Sequence, residues 1–222
     1  MPAQLSSTEE NYLKAIFKLS GNSSKSVSTN AIAAMMDTSA ASVTDMLKRL
    51  TEKGYTLYEK YKGVRLSDDG RKIATMLIRK HRLWECFMVD KLSFSWDEVH
   101  PIAEQLEHIQ SEELINRLEH FLGFPKFDPH GDPIPDKEGN FAYQQQIPLS
   151  DLKPNQKAVV VGVREHSPTF LKYLEQLNLI LGANVEVLDV VEYDASMQLH
   201  INQNSTQMVT LKVSQNVYVQ LQ

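Results

Sequence analysis

A chain of 222 residues with 42% hydrophobic and 23% charged side chains has an ordinary globular composition. It has room for one large or two to three small domains. No apolar run approaches the length that spans a bilayer, the first dozen residues lack the basic-then-apolar order of a secretion signal, and the single cysteine, Cys86, excludes an intrachain disulfide framework and fits a reducing cytosol. The net charge of −5 argues against binding nucleic acid over the whole surface.

In chain order, Ser7 or Thr8 ahead of Glu9 and Glu10 reads as a helix cap with acids in the first turn. Tyr12, Leu13, Ile16, Phe17 and Leu19 continue it as an apolar stripe. A short helix is predicted over 29–36. After the polar break at 37–39, a third runs over 41–53, with Val43, Met46, Leu47 and Leu50 inward and Gly54 at its end. Two short helices joined by a few residues are a helix-turn-helix signal. The strand-like runs 55–60 and 63–66, separated by Tyr61 and Lys62, read as the wing of a winged helix. The polar side of the third helix would then present Ser39, Ser42, Thr44, Asp45, Lys48 and Arg49 to DNA, with Lys60 and Lys62 on the wing. Small hydroxyls allow close approach, and Lys and Arg meet phosphates. Residues 47–80 carry ten basic against four acidic side chains, net +6, so the positive charge is local. A three-helix interaction domain without a DNA role is the competing reading.

A long helix follows over 68–90, capped by Ser67. Its second half holds Arg79-Lys80-His81-Arg82-Leu83-Trp84-Glu85. His81 and Glu85 are four apart and project from one face. His100, Glu104, Glu107 and His108 have steps of four, three and one, so most of them share a stripe if helical, with Pro101 in the first turn. A His and a Glu four apart also occur as a plain solvated pair. Here, however, four of the seven histidines (His81, His100, His108 and His120) fall in one acidic 40-residue segment. Imidazoles and carboxylates without an obligatory thiolate suit a first-row divalent ion. Cys86 reads as a small buried hydrophobe. Another helix is predicted over 111–122, and apolar helical surface of this extent suits a dimer contact.

Residues 125–150 are rich in proline and glycine and read as a linker, with His130 exposed to solvent. Five short strand runs then follow, at 159–163, 185–191, 197–201, 208–213 and 217–221, interrupted by one helix at about 168–177. They read as a small β-barrel-like domain.

The segments TEENYLKAIFKL, SAASVTDMLKRLTEKGYTLYEKYKGVRLSDDGRK, RKHRLWE, VHPIAEQLEH and HGDPIP together resemble the diphtheria-toxin-repressor and manganese-transport-regulator family. The resemblance covers the whole chain and is weaker toward the C-terminus. It implies a mainly α protein with a C-terminal β domain. A winged helix-turn-helix DNA-binding domain would span 1–70, a helical metal-binding and dimerisation domain 71–140, and a linker with an SH3-like (FeoA-like) small β-barrel 141–222. It implies one metal site on His81, Glu85 and His100. A second would use Asn11, Glu104, Glu107 and His108. Asn11 stands where relatives carry Asp or Met, and Lys14 where manganese sensors carry a second acid. Glu165 and His166 are the nearest candidates for ligands from the C-terminal domain, and a surface loop position is the other reading of His166.

The function expected is a metal-dependent, homodimeric, cytoplasmic repressor of metal-uptake genes, acting on double-stranded operator DNA, not on a membrane, and without catalysis. A glutamate at 104 in place of a thiolate favours Mn²⁺, with Fe²⁺ the close alternative and Zn²⁺ or Co²⁺ able to substitute. The rival from another class, a metallohydrolase on His81, Glu85 and His100, lacks a general base separate from the ligands and leaves the basic wing unexplained. A metal-independent winged-helix protein is the third reading.

Overall fold

The computed structural model describes residues 5–21, 25–59 and 62–222. These described residues form two compact units, one drawn from within 1–81, 104–115 and 135–141, the other of 82–103, 116–134 and 142–222.

The first unit opens with helix α1 (Ser7–Ser20). Its cap is Ser6, one residue before the predicted Ser7 or Thr8. The Ser6 hydroxyl accepts from the Glu9 amide at 3.3 Å while the Glu9 carboxylate accepts from the Ser6 amide at 2.9 Å. This reciprocal capping box satisfies two amides that the first turn would otherwise leave unpaired. Helices α2 (Thr29–Met35) and α3 (Ala40–Glu52) follow. The hairpin of β1 (Thr56–Glu59) and β2 (Gly63–Leu66) completes a winged helix-turn-helix. Val43, Leu47 and Leu50, at steps of four and three on α3, are fully buried against Leu13, Ile16, Ile32 and Val64. Gly70 lies where a Cβ would stand 2.0 Å from the Tyr55 carbonyl oxygen. Only glycine lets the next helix start that close to the wing. That helix, α4 (Asp68–Leu92), runs 25 residues and passes from the first unit into the second.

Helices α5 (His100–Leu106) and α6 (Glu112–Phe121) follow α4. The rest of the second unit is a six-stranded antiparallel sheet in the order β3-β8-β4-β5-β6-β7. Its strands are β3 (Ile147–Pro148), β4 (Lys157–Val163), β5 (Asn184–Val190), β6 (Met197–Ile201), β7 (Ser205–Val209) and β8 (Val217–Leu221). Register shifts at Val160/Gly162 and Val187/Asp189 bend the strands as bulges do, which lets a short sheet curl. Alternate residues Met197, Leu199 and Ile201 of β6 point into one core with Val160, Leu174, Val187, Val217 and Trp96. Beside the predicted helix, α7 (Pro168–Gln176), there is a second, four-residue helix, α8 (Leu211–Ser214).

The reading of 125–150 as a linker needs correction. Asp128, His130 and Ile134 are buried, and Phe127 forms a bridge with Pro133. The chain is pressed against β4: a Cβ on Gly131, whose φ is +88°, would stand 2.2 Å from the Val161 oxygen. The Val163 amide donates to the His130 carbonyl at 3.0 Å. Proline and glycine serve close backbone packing here, and the backbone polar groups stay paired. Among the described residues, no helix is long and apolar enough to cross a membrane.

Candidate functional site

Within the second unit, Glu85 on α4 is 2% exposed, and its two carboxylate oxygens face two different imidazoles. Oε1 lies 3.2 Å from Nδ1 of His100, the first residue of α5, and Oε2 lies 3.8 Å from Nδ1 of His130. Asp128 Oδ1 is 3.9 Å from the same His130 nitrogen. Thus His130, expected in solvent, is 2% exposed and stands between two carboxylates. Its Nε2–H donates to the Trp96 carbonyl at 2.8 Å, so the neutral ring keeps its lone pair on Nδ1, toward Glu85 and Asp128. Donor atoms of Glu85, Asp128 and His130 all lie within 4.8 Å of one another.

The electrostatics of this cluster are set by burial and by its converging carboxylates. Burial pushes the Asp128 carboxyl up to about 7, with the charges of Asp132 and Glu85 adding to it and Arg82 and His130 opposing. Burial disfavours the charged imidazole of His130. The hydrogen bond that the ring donates to Glu85 and the charges of Asp128 and Glu85 outweigh it and push the ring up to about 9. A proton on His130 therefore balances two converging carboxylates, a position a divalent ion can take over. Arg82 supports the arrangement from outside. Its Nε is 3.3 Å from Asp128 and its Nη2 2.8 Å from Asp132, and a further bond runs to the Pro133 carbonyl. The His166 ring lies 5.1 Å from that of His130, and its Nε2 is 3.2 Å from the Val163 carbonyl oxygen. Burial lowers its affinity for a proton, and charged His130 lowers it further. So His166 lines the cluster. Glu165 instead accepts a hydrogen bond from the Ser167 hydroxyl at 2.6 Å.

Sequence reasoning missed Asp128 and His130. The signal available was the Asp-Pro-His-Gly-Asp run itself, two carboxylates flanking a histidine at spacings of two. It was masked by the proline and glycine that suggested a loop. Cys86, beside Glu85, is buried. Burial and the nearby carboxylates of Asp128, Asp90 and Glu85 push its thiol far up, so no thiolate contributes.

The second predicted set, Asn11, Glu104, Glu107 and His108, lies in the first unit, and so does His81 of the first set. His81, one turn before Glu85 on α4, bonds through Nδ1 to Glu107 Oε2 at 2.6 Å. That bond selects the tautomer with the lone pair on Nε2. The other oxygen of fully buried Glu107 takes the ammonium of Lys14 at 2.5 Å, and Lys14 is 3.7 Å from Glu104. Burial would raise the Glu107 pKa, but the bond to His81 and the Lys14 charge hold it below the usual carboxylate value. His108 Nδ1 pairs with Glu10 at 2.6 Å, and Gln110 donates to Glu10 at 2.8 Å. Asn11 is half-buried, and its Oδ1 has no hydrogen-bond partner.

Of the predicted DNA-facing residues, Ser42, Asp45, Lys48 and Arg49 are exposed on α3. Lys48 is 3.3 Å from Asp45, an exposed pair that breaks easily. Ser39 is the α3 cap, accepting from the Ser42 amide, and Thr44 bonds back to the Ala40 carbonyl, so part of their hydrogen-bonding capacity is spent locally. Lys62 is exposed in the wing turn. Lys60 lies outside the described residues.

Comparison with known proteins agrees with this architecture. Residues 4–64 match the N-terminal DNA binding domain of iron dependent repressors, 67–136 match the iron dependent repressor metal binding and dimerisation domain, and 147–221 match the FeoA domain. The iron-dependent repressor IdeR of Mycobacterium tuberculosis is 33% identical over 132 residues, 60% of this chain and 57% of its own length, so the match spans little over half of that relative. IdeR of Mycobacterium leprae is 30% identical over 165 residues, 71% of each chain. The solved structure of a manganese-dependent transcriptional repressor in complex with manganese superposes with a TM-score of 0.85 at 31% identity. That superposition covers 96% of this chain and 100% of that one. With three domains matched in order and full-length structural correspondence at this identity, the chain belongs to the diphtheria-toxin-repressor and manganese-transport-regulator family of metal-dependent repressors.

Proposed function

We propose that this chain is a cytoplasmic, homodimeric transcriptional repressor of metal-uptake genes that binds operator DNA when loaded with a divalent ion, Mn²⁺ by preference. One observation carries the reading. Glu85 and Asp128 are buried and converge on one imidazole, that of His130, with Arg82 bonded to the outer oxygen of Asp128. Glu85, His100, Asp128 and His130 would hold the ion, and His166 would line the site. These are oxygen and imidazole donors, with the nearby thiol buried and protonated. Such a set suits Mn²⁺ or Fe²⁺ and can accept Zn²⁺ or Co²⁺.

The DNA-reading surface in this proposal is α3, with Ser42, Asp45, Lys48 and Arg49 facing the duplex, Ser39 and Thr44 at its start, and Lys62 on the wing. The dimer contact is proposed on Leu92, Phe94, Phe121 and Phe124, large apolar side chains between 37% and 62% exposed. Metal binding favours one arrangement of the two recognition helices because it ties α4 to the segments that carry His100 and His130. A hydrolase reading is weaker, since every acid and imidazole of the cluster is used as a ligand or a ligand support.

The test is metal analysis of protein purified without chelator, followed by duplex titration with Mn²⁺, Fe²⁺, Zn²⁺ and Co²⁺ in turn. The reading requires DNA binding that depends on the ion and is strongest with Mn²⁺. Ester or phosphoester turnover without DNA binding overturns it.

A further inference from the structure

Among the described residues of the first unit, six acidic or basic side chains besides histidine are each less than a tenth exposed: Glu9, Glu10, Lys14, Arg79, Lys80 and Glu107. Three are acids and three are bases, so the group is neutral without any ion. Lys14 is the central member. Its ammonium is 2.5 Å from Glu107 and 3.7 Å from Glu104. It thereby occupies carboxylate oxygens that the predicted set of Asn11, Glu104, Glu107 and His108 would have to offer a metal. His108 Nδ1 is likewise taken by Glu10. Three contacts, Lys14 to Glu107, Glu10 to His108 and Glu10 to Gln110, already fasten α1 to residues 107–110. A divalent ion entering here meets a resident positive charge and, among the described residues, buried acids already paired: Glu107 with Lys14 and His81, Glu10 with His108 and Gln110. Glu104, whose side chain is 51% exposed, adds negative charge. The Asn11 Oδ1, buried and without a hydrogen-bond partner, is an oxygen that an ion could use once the ammonium is gone.

We propose that Lys14 is a built-in competitor cation, whose ammonium holds Glu107 in place of a divalent ion and keeps this second ligand set from binding metal tightly. Substituting it converts the set into a working site. The effect is one of charge, since lysine and methionine have similar length and flexibility.

The proposal rests on the metal-binding reading above, and one experiment separates the two. Free Mn²⁺ is counted by its electron paramagnetic resonance signal during titration of the full chain, without DNA. The chains compared are the natural one, Lys14→Met, Lys14→Arg and the double variant Lys14→Met with Glu107→Gln. Lys14→Met should gain one ion per chain or bind its weakest ion at least tenfold more tightly. Lys14→Arg should behave as the natural chain, and the double variant should lose the gain. Lys14→Gln carries the same expectation as Lys14→Met should the latter fail to fold. Equal stoichiometry and affinity in the natural chain and the neutral variants, or an equal gain in Lys14→Arg, overturns the competitor role. A natural chain that binds no Mn²⁺ at all refutes the metal-sensor reading instead, and a gain in Lys14→Met would still support the competitor.

Discussion

Replacing Glu85 by glutamine keeps the size of the side chain and removes the charge on which two histidines converge. In the natural chain, an ion at a hundred times its dissociation constant stabilises the folded state by about 2.7 kcal/mol. For a protein of this length that corresponds to a rise in melting temperature of about 5–11 °C. An amide oxygen is a poor substitute for an anionic ligand. A hundredfold loss of affinity leaves about 0.4 kcal/mol at the same Mn²⁺ concentration, a rise of only about 1–2 °C. Without metal, Glu85→Gln should stay close in stability to the natural chain near pH 8, because it relieves the repulsion with Asp128 and also removes the pairing with protonated His130. The His130 imidazole, held up at about 9 largely by Glu85 and Asp128, should titrate lower in the variant. Differential scanning fluorimetry with chelator or Mn²⁺, together with imidazole NMR, reads all three. A Glu85→Gln protein that keeps the full Mn²⁺ shift would refute the assignment of this cluster as the ion site.

Asp128 has a folded value near 7 against its usual 3.8, so its contribution is fully present below about pH 4. Metal-free stability should then fall as pH rises toward 7, by at most about 4 kcal/mol. His130, raised from 6.5 to about 9, continues the decline toward pH 9; urea melts with chelator at pH 5 to 9 check the sign, and a rise would contradict it. Mn²⁺ affinity should move the opposite way, increasing with pH as the ion displaces these protons; calorimetry in buffers of different ionisation heat counts them. Lys48→Ala and Arg49→Ala should each reduce the log–log salt slope of DNA binding by about 0.9, and an unchanged slope in both places the DNA surface elsewhere. Gly131→Ala forces a side chain into the Val161 and Gly162 backbone at positive φ, so it should cost about 2–4 kcal/mol and weaken Mn²⁺ binding through His130; thermal melts with Mn²⁺ present and absent would show neither effect if the segment tolerated it.

The winged helix was legible because its signals are local: apolar steps of three and four at Val43, Leu47 and Leu50, and a hairpin at fixed distance behind. The pairing of Glu85 with His100 was legible as a motif within the family pattern, and His81 one turn before Glu85 follows from helical spacing alone. What could not be read was burial set by distant chain. His130 looked exposed because Pro129 and Gly131 mark a loop, yet Gly131 lets the backbone lie against β4, and the His130 ring is buried. Asp128 was overlooked for the same reason. Lys14 showed only as a departure from the family pattern. Its meaning depends on Glu107, 93 residues away in sequence, and no periodicity reports such a pair. The cap at Ser6 differed by one residue from expectation because Ser6, Ser7 and Thr8 all have a capping hydroxyl, and both Ser6 and Ser7 have a glutamate three residues on.

DNA binding should depend on an ion held around Glu85. Its most direct measurement is fluorescence anisotropy of a labelled duplex, selected from a random library with Mn²⁺ present. The duplex is titrated at fixed salt with the natural chain in chelator, the natural chain in Mn²⁺, and Glu85→Gln in Mn²⁺. The prediction is tight binding in the second titration only, with the other two reduced to weak, salt-sensitive association. Equal affinity with and without Mn²⁺ in the natural chain would contradict it.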